Sequence, residues 1–331
     1  MGALLGIQIL SLLWLGDAGV YHAGFASSRS MVMSPMARSS IAIRMEINEV
    51  DIAHLLEWIG RTETNSDQVT PTPIAALSAT LDIEAPRPVA GDPVPPLWHW
   101  LYFLSIHRQS ELGPDGHVKR GDFLPPVLLP RRMWAGGRFE FRRPLRVGET
   151  FTRTSRIVDV QQKEGRTGTL VFVFVRHEIG NADGVALSEE QDLVYRADAK
   201  PGDPAPLPRP APAGAAWERV VQPDDVLLFR YSALTFNGHR IHYDRRFATE
   251  TEGYPGLVVH GPLIATLLLD LLRRHMPEAH VAKFEFRSVS PLFDTASFSL
   301  HGKPESDGKT ISLWATDAEG GLAMLALATV G

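Results

Sequence analysis

The chain has 331 residues and a formal net charge of −5. This length exceeds one small domain and suits two, and the mildly acidic balance predicts no nucleic-acid partner. The sequence contains no cysteine, which excludes disulfides, thiolate nucleophiles and thiolate metal sites and fits a reducing cytoplasm.

Residues 1–44 carry little helical or strand pattern. Their apolar run at 3–15 is too short to span a bilayer, and no Lys or Arg precedes Arg29 to make the positive start of a secretory signal. We therefore expect residues 1–44 to lie outside the fold, as an over-extended start or a targeting leader, mitochondrial or other. We expect no membrane association.

Residues 45–198 are predicted to form a first domain. Helices are expected over 47–59, where apolar and charged residues alternate near helical spacing, and over 74–81, where prolines precede the first turn. From Phe139 the hydrophobic period changes to two, and strand-like runs separated by turns continue to Tyr195. The pattern indicates helices first and an antiparallel meander afterwards.

Residues 199–215 are rich in proline and predict a stiff linker. Residues 216–331 would form a second domain, with a helical start at 224–234, a strongly apolar helix over 261–275 and four strands after it. A long apolar helix against an antiparallel sheet of short strands is an α+β layout.

The densest polar segment of the chain is 237–244, Asn-Gly-His-Arg-Ile-His-Tyr-Asp, and Val259-His260-Gly261 follows it into the apolar helix. Hydrogen-bonding side chains at Asn237, His239 and His242 thus precede a helix N-terminus, whose first N–H groups have no intrahelical acceptor. Taken alone, this combination predicts a functional site around His242. The alternative is a histidine packed at an ordinary turn.

These two motifs resemble the MaoC-like hydratases and dehydratases of the hot-dog fold, in which an Asp, four residues and a His precede a His-Gly helix entry. The first half carries Ser-Glu-Leu-Gly-Pro-Asp-Gly-His at 110–117 and Arg-Arg-Met-Trp-Ala-Gly-Gly at 131–137. It resembles the N-terminal domain of a two-domain subset, which includes type-2 hydroxyacyl-thioester dehydratases and mesaconyl-C4-CoA and itaconyl-CoA hydratases. The resemblance implies a double hot-dog fold over residues 45–331, with two modules that each wrap an antiparallel sheet around a central helix.

The resemblance also implies a hydro-lyase that adds or removes water across the α,β double bond of an acyl-CoA, with coenzyme A entering in the substrate and no separate cofactor. His242 would be the acid/base, Asn237 would orient the water, and the backbone N–H of Gly261 would bind the thioester oxygen. Asn237 stands where the family carries its catalytic Asp and cannot act as a base. Leu269 stands where relatives carry a supporting serine.

Five further side chains are predicted to bind the substrate, as ligands for its carboxylate or for the phosphates of coenzyme A: His239, Arg240, Arg245, Arg131 and Arg132. Several arginines near the motifs favour a short branched dicarboxylyl-CoA, and a medium-chain 3-hydroxyacyl thioester is the alternative. Asp270 on the helix would instead suit an acyl-CoA thioesterase, and Asn237 would suit a non-catalytic acyl-thioester-binding protein. A homodimer of double hot-dog chains is a further expectation.

No metal site is predicted. His239 and His242 are spaced i, i+3 and lack a third ligand at suitable spacing in the neighbouring sequence. Asp115-Gly116 is interpreted only as a turn.

Overall fold

The computed structural model describes residues 50–165, 168–198 and 208–331. The predicted leader at 1–44 and most of the predicted linker lie outside these described residues. The first helix, α1, spans Ile52–Leu56 and is shorter than the predicted 47–59. Asp51 caps its N-terminus, and Gly60, at φ +90°, turns the chain soon after its end.

The first half contains five strands and a second helix. They are β1 (Thr62–Gln68), α2 (Pro71–Thr80), β2 (Arg131–Phe141), β3 (Thr150–Gly165), β4 (Gly168–Asn181) and β5 (Gly184–Arg196). Helix α2 and the meander β2–β5 confirm the predicted order of helix and strands. Strand β1 was missed because its polar sequence has no hydrophobic alternation; it lies at the sheet edge and pairs only with β3.

The second half repeats five strands and adds the long helix. Its elements are β6 (Trp217–Val221), α3 (Asp225–Leu234), α4 (Gly261–His275), β7 (Val281–Ser288), β8 (Phe298–Pro304), β9 (Thr310–Thr316) and β10 (Leu322–Val330). Helix α4 has the predicted bounds, and every residue from 263 to 272 is buried. None of the helices in the described ranges is long and apolar enough to cross a membrane.

All these strands belong to one sheet, in the order β1-β3-β4-β5-β2-β7-β10-β9-β8-β6. Read outward from its centre, the order is β2-β5-β4-β3-β1 on one side and β7-β10-β9-β8-β6 on the other, so the two halves are topological copies. They join where β2 pairs with β7, between Gly136↔Arg287 and Glu140↔Lys283. A Cβ atom on Gly136 would lie 2.7 Å from the carbonyl oxygen of Phe286, which explains the glycine at this junction.

A shared hydrophobic core lies under the sheet. Helix α4 packs against β6, β8, β9 and β10, and its leucines belong to the same buried cluster as Ile74 and Leu77 of α2. In the described part of the first half, the space that α4 fills in the second half is taken by α2 and by a 3-10 turn at Trp98–Leu101. The architecture is α+β, with a main core that connects the two halves and a smaller buried cluster within the first half.

Candidate active site

His242 lies on a 3-10 turn, Arg240–His242, between α3 and α4. Its side chain is buried, and Nδ1 lies 2.7 Å from the carbonyl oxygen of Val258. Because a carbonyl only accepts, Nδ1 carries the proton and Nε2 keeps its lone pair. Burial lowers the pKa of His242 to about 4, against the opposing effect of the Val258 carbonyl and with a smaller lowering by His117. His242 is therefore a neutral proton acceptor at pH 7.

The ring of His242 stacks on His260, with 3.7 Å between the ring centroids. His260 is the N-cap residue of α4, and its Nε2 lies 2.8 Å from the hydroxyl of Ser232. Burial, followed by the charges of His242 and His239, holds the pKa of His260 well below its ordinary value. His242 is thus placed against the N-terminal end of the long helix.

Gly261 is the first residue of α4, where the helix dipole is positive. Its N–H has no acceptor in the described part of the chain, and Pro262 after it has no N–H to compete. A free N–H at this end of a helix favours an oxygen that gains negative charge. The position predicted for the oxyanion hole therefore carries a free donor.

Asn237 lies at the turn that follows α3. Its Oδ1 accepts the backbone N–H of His239 at 3.0 Å, and its own N–H donates to the carbonyl of Ser232 at 2.8 Å. The side-chain carbonyl thus helps to shape the loop, and the amide NH₂ donates to no acceptor among the described residues.

His239 lies inside a histidine cluster that spans both halves of the chain. Its ring centroid is 4.0 Å from that of His117 and 5.5 Å from that of His242. Burial, and then the charges of His117 and His242, lowers the pKa of His239 to about 2. His239 is therefore a neutral member of the site rather than a residue of the open surface.

The loop at 113–117 is docked on the loop at 237–240. The backbone N–H of Arg240 donates to the carbonyl of Asp115 at 2.9 Å, and its guanidinium donates to the carbonyl of Pro114 at 2.9 Å. Gly116, at φ +87°, faces Gly238 so closely that a Cβ atom would overlap the Gly238 carbonyl. The predicted Asp115-Gly116 turn is thus a contact between the two halves.

Asp115 and His117 form a hydrogen-bonded pair. Nδ1 of His117 lies 3.0 Å from Oδ2 of Asp115, and the backbone N–H of His117 donates to Oδ1 at 3.1 Å. Burial would raise the pKa of Asp115, but the hydrogen bond and charge of His117 outweigh it and hold that pKa below its usual value. Burial and then the charge of Arg132 lower the pKa of His117, against Asp115, which raises it. Sequence reasoning missed this pair, although the Asp-Gly-His motif was its visible signal.

The prediction of no metal site considered only spacing along the sequence, and the fold brings together three potential ligands from distant segments. Ligand atoms of Asp115, His117 and His239 all lie within 4.8 Å of one another. These residue types could share a divalent cation. The existing hydrogen bond between Asp115 and His117, however, already uses the carboxylate and Nδ1.

Arg240 and Arg245, both predicted to bind the substrate, are held by protein carboxylates. Arg240 donates twice to Asp244, at 2.7 and 3.0 Å, and its guanidinium lies 4.2 Å from the ring centroid of Phe247. Arg245 makes salt bridges with Asp225 and Asp294. The geometry favours a role for both arginines in holding the loops around the site.

Arg131 and Arg132 are neighbours in β2 but have different surroundings. Arg131 donates to Asp198 at 2.8 Å and to the hydroxyl of Tyr254 at 3.0 Å. Arg132 has no ion-pair or hydrogen-bond partner for its guanidinium among the described residues, and its charge acts on His117 and His239. Of the predicted arginines, Arg132 is the one with a free guanidinium near the histidine cluster.

Asp270, the candidate carboxylate for a thioesterase, is buried within α4. It makes ion pairs with Arg219 at 2.8 Å, Arg273 at 2.6 Å and Arg274 at 2.8 Å. Three guanidinium groups thus stabilise the carboxylate and enclose it. This geometry disfavours Asp270 as a nucleophile or base.

A charged cavity of about 520 Å³ lies over the β2–β7 junction, away from the histidine cluster. Three of its four basic residues are closely paired, Arg138 with Asp192, Arg176 with Glu190, and Lys283 with Glu140, while Arg142 lies 3.9 Å from Glu140. Because these charges are neutralised, the cavity is poorly suited to a polyanion such as coenzyme A.

Comparison with known proteins identifies the family. The family described as hydroxyacyl-thioester dehydratase type 2 matches residues 97–294. The chain is 48% identical over 282 residues to the mesaconyl-C4-CoA hydratase of Chloroflexus aurantiacus, covering 84% of this chain and 99% of that protein.

Solved structures agree on the fold. A MaoC-like dehydratase superposes with a TM-score of 0.62 at 14% identity, covering 83% of this chain and 99% of its own. A Mycobacterium tuberculosis protein described as a double hot-dog fold has a TM-score of 0.51 at 14% identity, covering 82% of this chain and 96% of its own. The predicted α+β double hot-dog fold is confirmed, and the chain belongs to the hydroxyacyl-thioester dehydratase type 2 family of MaoC-like hydro-lyases.

Proposed function

We propose that the protein is a hydratase of short, branched dicarboxylyl-CoA thioesters of the mesaconyl-C4-CoA or itaconyl-CoA kind. The observation that carries the proposal is the 48% identity to a mesaconyl-C4-CoA hydratase, which extends over 84% of this chain and 99% of that relative. The site supports it, because a buried neutral histidine and a free N–H at a helix N-terminus are the two groups that hydration of an enoyl thioester needs.

In the hydration direction, water attacks the β-carbon. His242 accepts one proton of that water on Nε2 while the oxygen bonds to the β-carbon, and the electron pair of the double bond moves toward the thioester carbonyl. The proton then passes from His242 to the α-carbon, which restores the neutral ring. Dehydration runs the same steps in reverse, so that water is the only species added or removed.

Two groups would stabilise the reacting atoms. The Gly261 N–H donates to the thioester oxygen as it gains negative charge, and the positive helix end adds to this stabilisation. The amide of Asn237 holds the water without transferring a proton. Since coenzyme A enters as part of the substrate, the proposed chemistry uses no separate cofactor.

Arg132 is the proposed ligand for the distal carboxylate of the substrate. Its guanidinium has no partner within the described residues, and it lies close enough to His117 and His239 to influence their pKa values. A planar guanidinium can bind a carboxylate through two parallel hydrogen bonds. This contact would distinguish a dicarboxylyl-CoA from a simple enoyl-CoA.

A substrate panel tests the proposal. Mesaconyl-C4-CoA, itaconyl-CoA, crotonyl-CoA and a medium-chain 3-hydroxyacyl-CoA would be assayed separately for water addition or loss and for release of free thiol. The proposal requires hydration of a dicarboxylyl-CoA with the highest kcat/KM and no thiol release. Thiol release alone would indicate a thioesterase, and binding without turnover would indicate an acyl-thioester-binding protein.

A 3-hydroxyacyl-thioester dehydratase is the second candidate, and the description of the matching family favours it. Preference for the medium-chain substrate in the same panel would select it.

We further propose a homodimer of double hot-dog chains that acts in the cytoplasm, in keeping with the cysteine-free sequence. Light scattering of the purified protein and fractionation of the native cells check these two points.

A further inference from the structure

The second half of the chain provides His242 with no charged partner. Its Nδ1 donates to the neutral carbonyl of Val258, and Asn237 in the same segment of the chain is an uncharged amide. Among the described residues, His117 of the first half is the one side chain whose protonation would shift the pKa of His242, and it would lower it. A histidine that gains a proton during the reaction is stabilised by a nearby carboxylate.

Asp115 is such a carboxylate, and it is coupled to the cluster through His117. It accepts two N–H groups of His117, at 3.0 and 3.1 Å, and so fixes both the tautomer and the orientation of the ring. With the proton on Nδ1, the lone pair of His117 lies on Nε2. About a fifth of the His117 side chain, 22%, is exposed, so a small molecule can reach it.

Docking of the two loops places this pair at the site. Gly116 and Gly238 allow backbone to meet backbone, and Arg240 binds the carbonyls of Asp115 and Pro114. The ring of His117 consequently lies 4.0 Å from that of His239. Charged groups that act on His117 are Asp115, Arg132 and Arg120, of which the two arginines oppose a positive charge on the ring.

We propose that His117 is a second catalytic residue of the hydration site and that Asp115 is the residue that positions it. Water donates one hydrogen to His242, which takes it as a proton and returns it to the α-carbon. The other hydrogen is hydrogen-bonded to Nε2 of His117 and stays on the oxygen of the product. The charge of Asp115 stabilises the positive charge that forms transiently in the cluster. This inference rests on the hydratase function proposed above.

The test compares His117→Ala, His117→Gln and Asp115→Asn with the unaltered protein in the hydration assay. His117→Ala should lower kcat about 10²-fold, the scale of a misplaced reactant, with little change in KM. His117→Gln, which keeps a hydrogen-bonding group, should recover part of that loss. Asp115→Asn should lower kcat by about 10-fold to 100-fold and move the acidic limb of the pH–rate profile to lower pH, because it removes a charge that favours protonated histidine.

His107→Ala is the matched control, since His107 lies on the same irregular segment and its side chain, among the described residues, contacts only the hydroxyl of Ser105 at 3.0 Å and Glu111 at 3.7 Å. It should keep full kcat. Near-normal kcat in folded His117→Ala would overturn the inference, whereas absence of hydration by the unaltered protein would overturn the function itself. If His117→Ala does not fold, the pH shift of Asp115→Asn decides. A stoichiometric divalent cation that is lost in His117→Ala, with activity abolished by a chelator, would overturn the inference and assign His117 to metal binding.

Discussion

Gly116 and Gly238 face each other at the contact between the two halves, and neither has room for a side chain. A Cβ atom on Gly238 would lie 2.8 Å from the carbonyl oxygen of Gly116, and one on Gly116 would overlap the carbonyl of Gly238. Gly116 also adopts φ +87°, which side chains other than hydrogen rarely allow. This close approach brings Asp115 and His117 to the histidines of the second half.

Gly116→Ala is therefore expected to separate the loops. It should lower kcat/KM strongly and destabilise the fold by more than the roughly 1–2 kcal/mol that left-handed backbone alone costs. Gly91→Ala is the control, because Gly91 has nearly the same φ, +91°, with open space around it. Chemical denaturation and hydration kinetics of both variants check this; equal losses would show that loop contact is unimportant.

His242→Ala should lower kcat for hydration by about 10² or more, the usual scale for general acid–base catalysis. Substrate affinity should survive, because it depends on the Gly261 N–H and on Arg132 rather than on the ring. His280→Ala, at an exposed histidine of the same half, is the control. Single-turnover kinetics and a direct binding measurement separate the two effects, and a variant with normal turnover would remove His242 from the mechanism.

Substitutions of Asn237 separate orientation from proton transfer. Asn237→Ala should cost less than His242→Ala, since Asn237 transfers no proton, although the loop loses the 3.0 Å bond to His239 N–H. Asn237→Asp should keep that acceptor and support equal or faster turnover. A carboxyl whose pKa is raised by burial would instead be a poor base near neutrality. The pH–rate profile of Asn237→Asp distinguishes these outcomes, because a carboxyl with a raised pKa should add a new limb above pH 5.

The rate should depend on pH through the neutral form of His242. Burial, the main cause, brings its pKa to about 4, so the proton-accepting form persists well below pH 6.5. We expect kcat/KM to stay level from about pH 8 to pH 5 and to fall through the region of pH 4. A limb centred near 6.5 would mean that the working base is exposed to solvent.

The same shift predicts a loss of stability in acid. Between the folded pKa of about 4 and the ordinary value of 6.5, the unfolded chain binds more protons at His242 than the folded chain does. The free energy of unfolding should therefore fall as the pH drops from 7 to 5, by about 2 kcal/mol from this group. Urea titrations at both pH values measure the change, and His242→Gln should reduce it.

Arg132→Ala should raise KM for mesaconyl-C4-CoA about 10-fold or more, on the scale of a charged hydrogen bond, and leave KM for crotonyl-CoA nearly unchanged. The difference arises because only the first substrate carries a distal carboxylate. Arg142→Ala, at an exposed arginine whose carboxylate contact with Glu140 is long at 3.9 Å, serves as the control. Equal effects on both thioesters would exclude Arg132 as the ligand of that carboxylate.

Local sequence patterns were sufficient to predict the long helix and most of the strands. Helix α4 was predicted with its correct bounds because its broad apolar face is encoded in neighbouring residues. Edge strand β1 was missed, since its side chains face solvent and its stability comes from β3, far along the chain, partly through hydroxyl pairs such as Ser66 with Thr152.

The residues of the candidate site likewise divide into those that local sequence was enough to predict and those that only the fold brings together. His242, Asn237 and Gly261 lie close together in one stretch of sequence, so their pattern was enough to predict a functional site at a helix N-terminus, and their roles in hydration stay a prediction from the family resemblance. Folding alone decided that Asp115 and His117 join His239, that Arg240 and Arg245 are held by carboxylates, and that the Arg132 guanidinium has no partner among the described residues. These contacts connect segments distant along the chain, and they exist only because β2 pairs with β7 and two glycines let the loops meet.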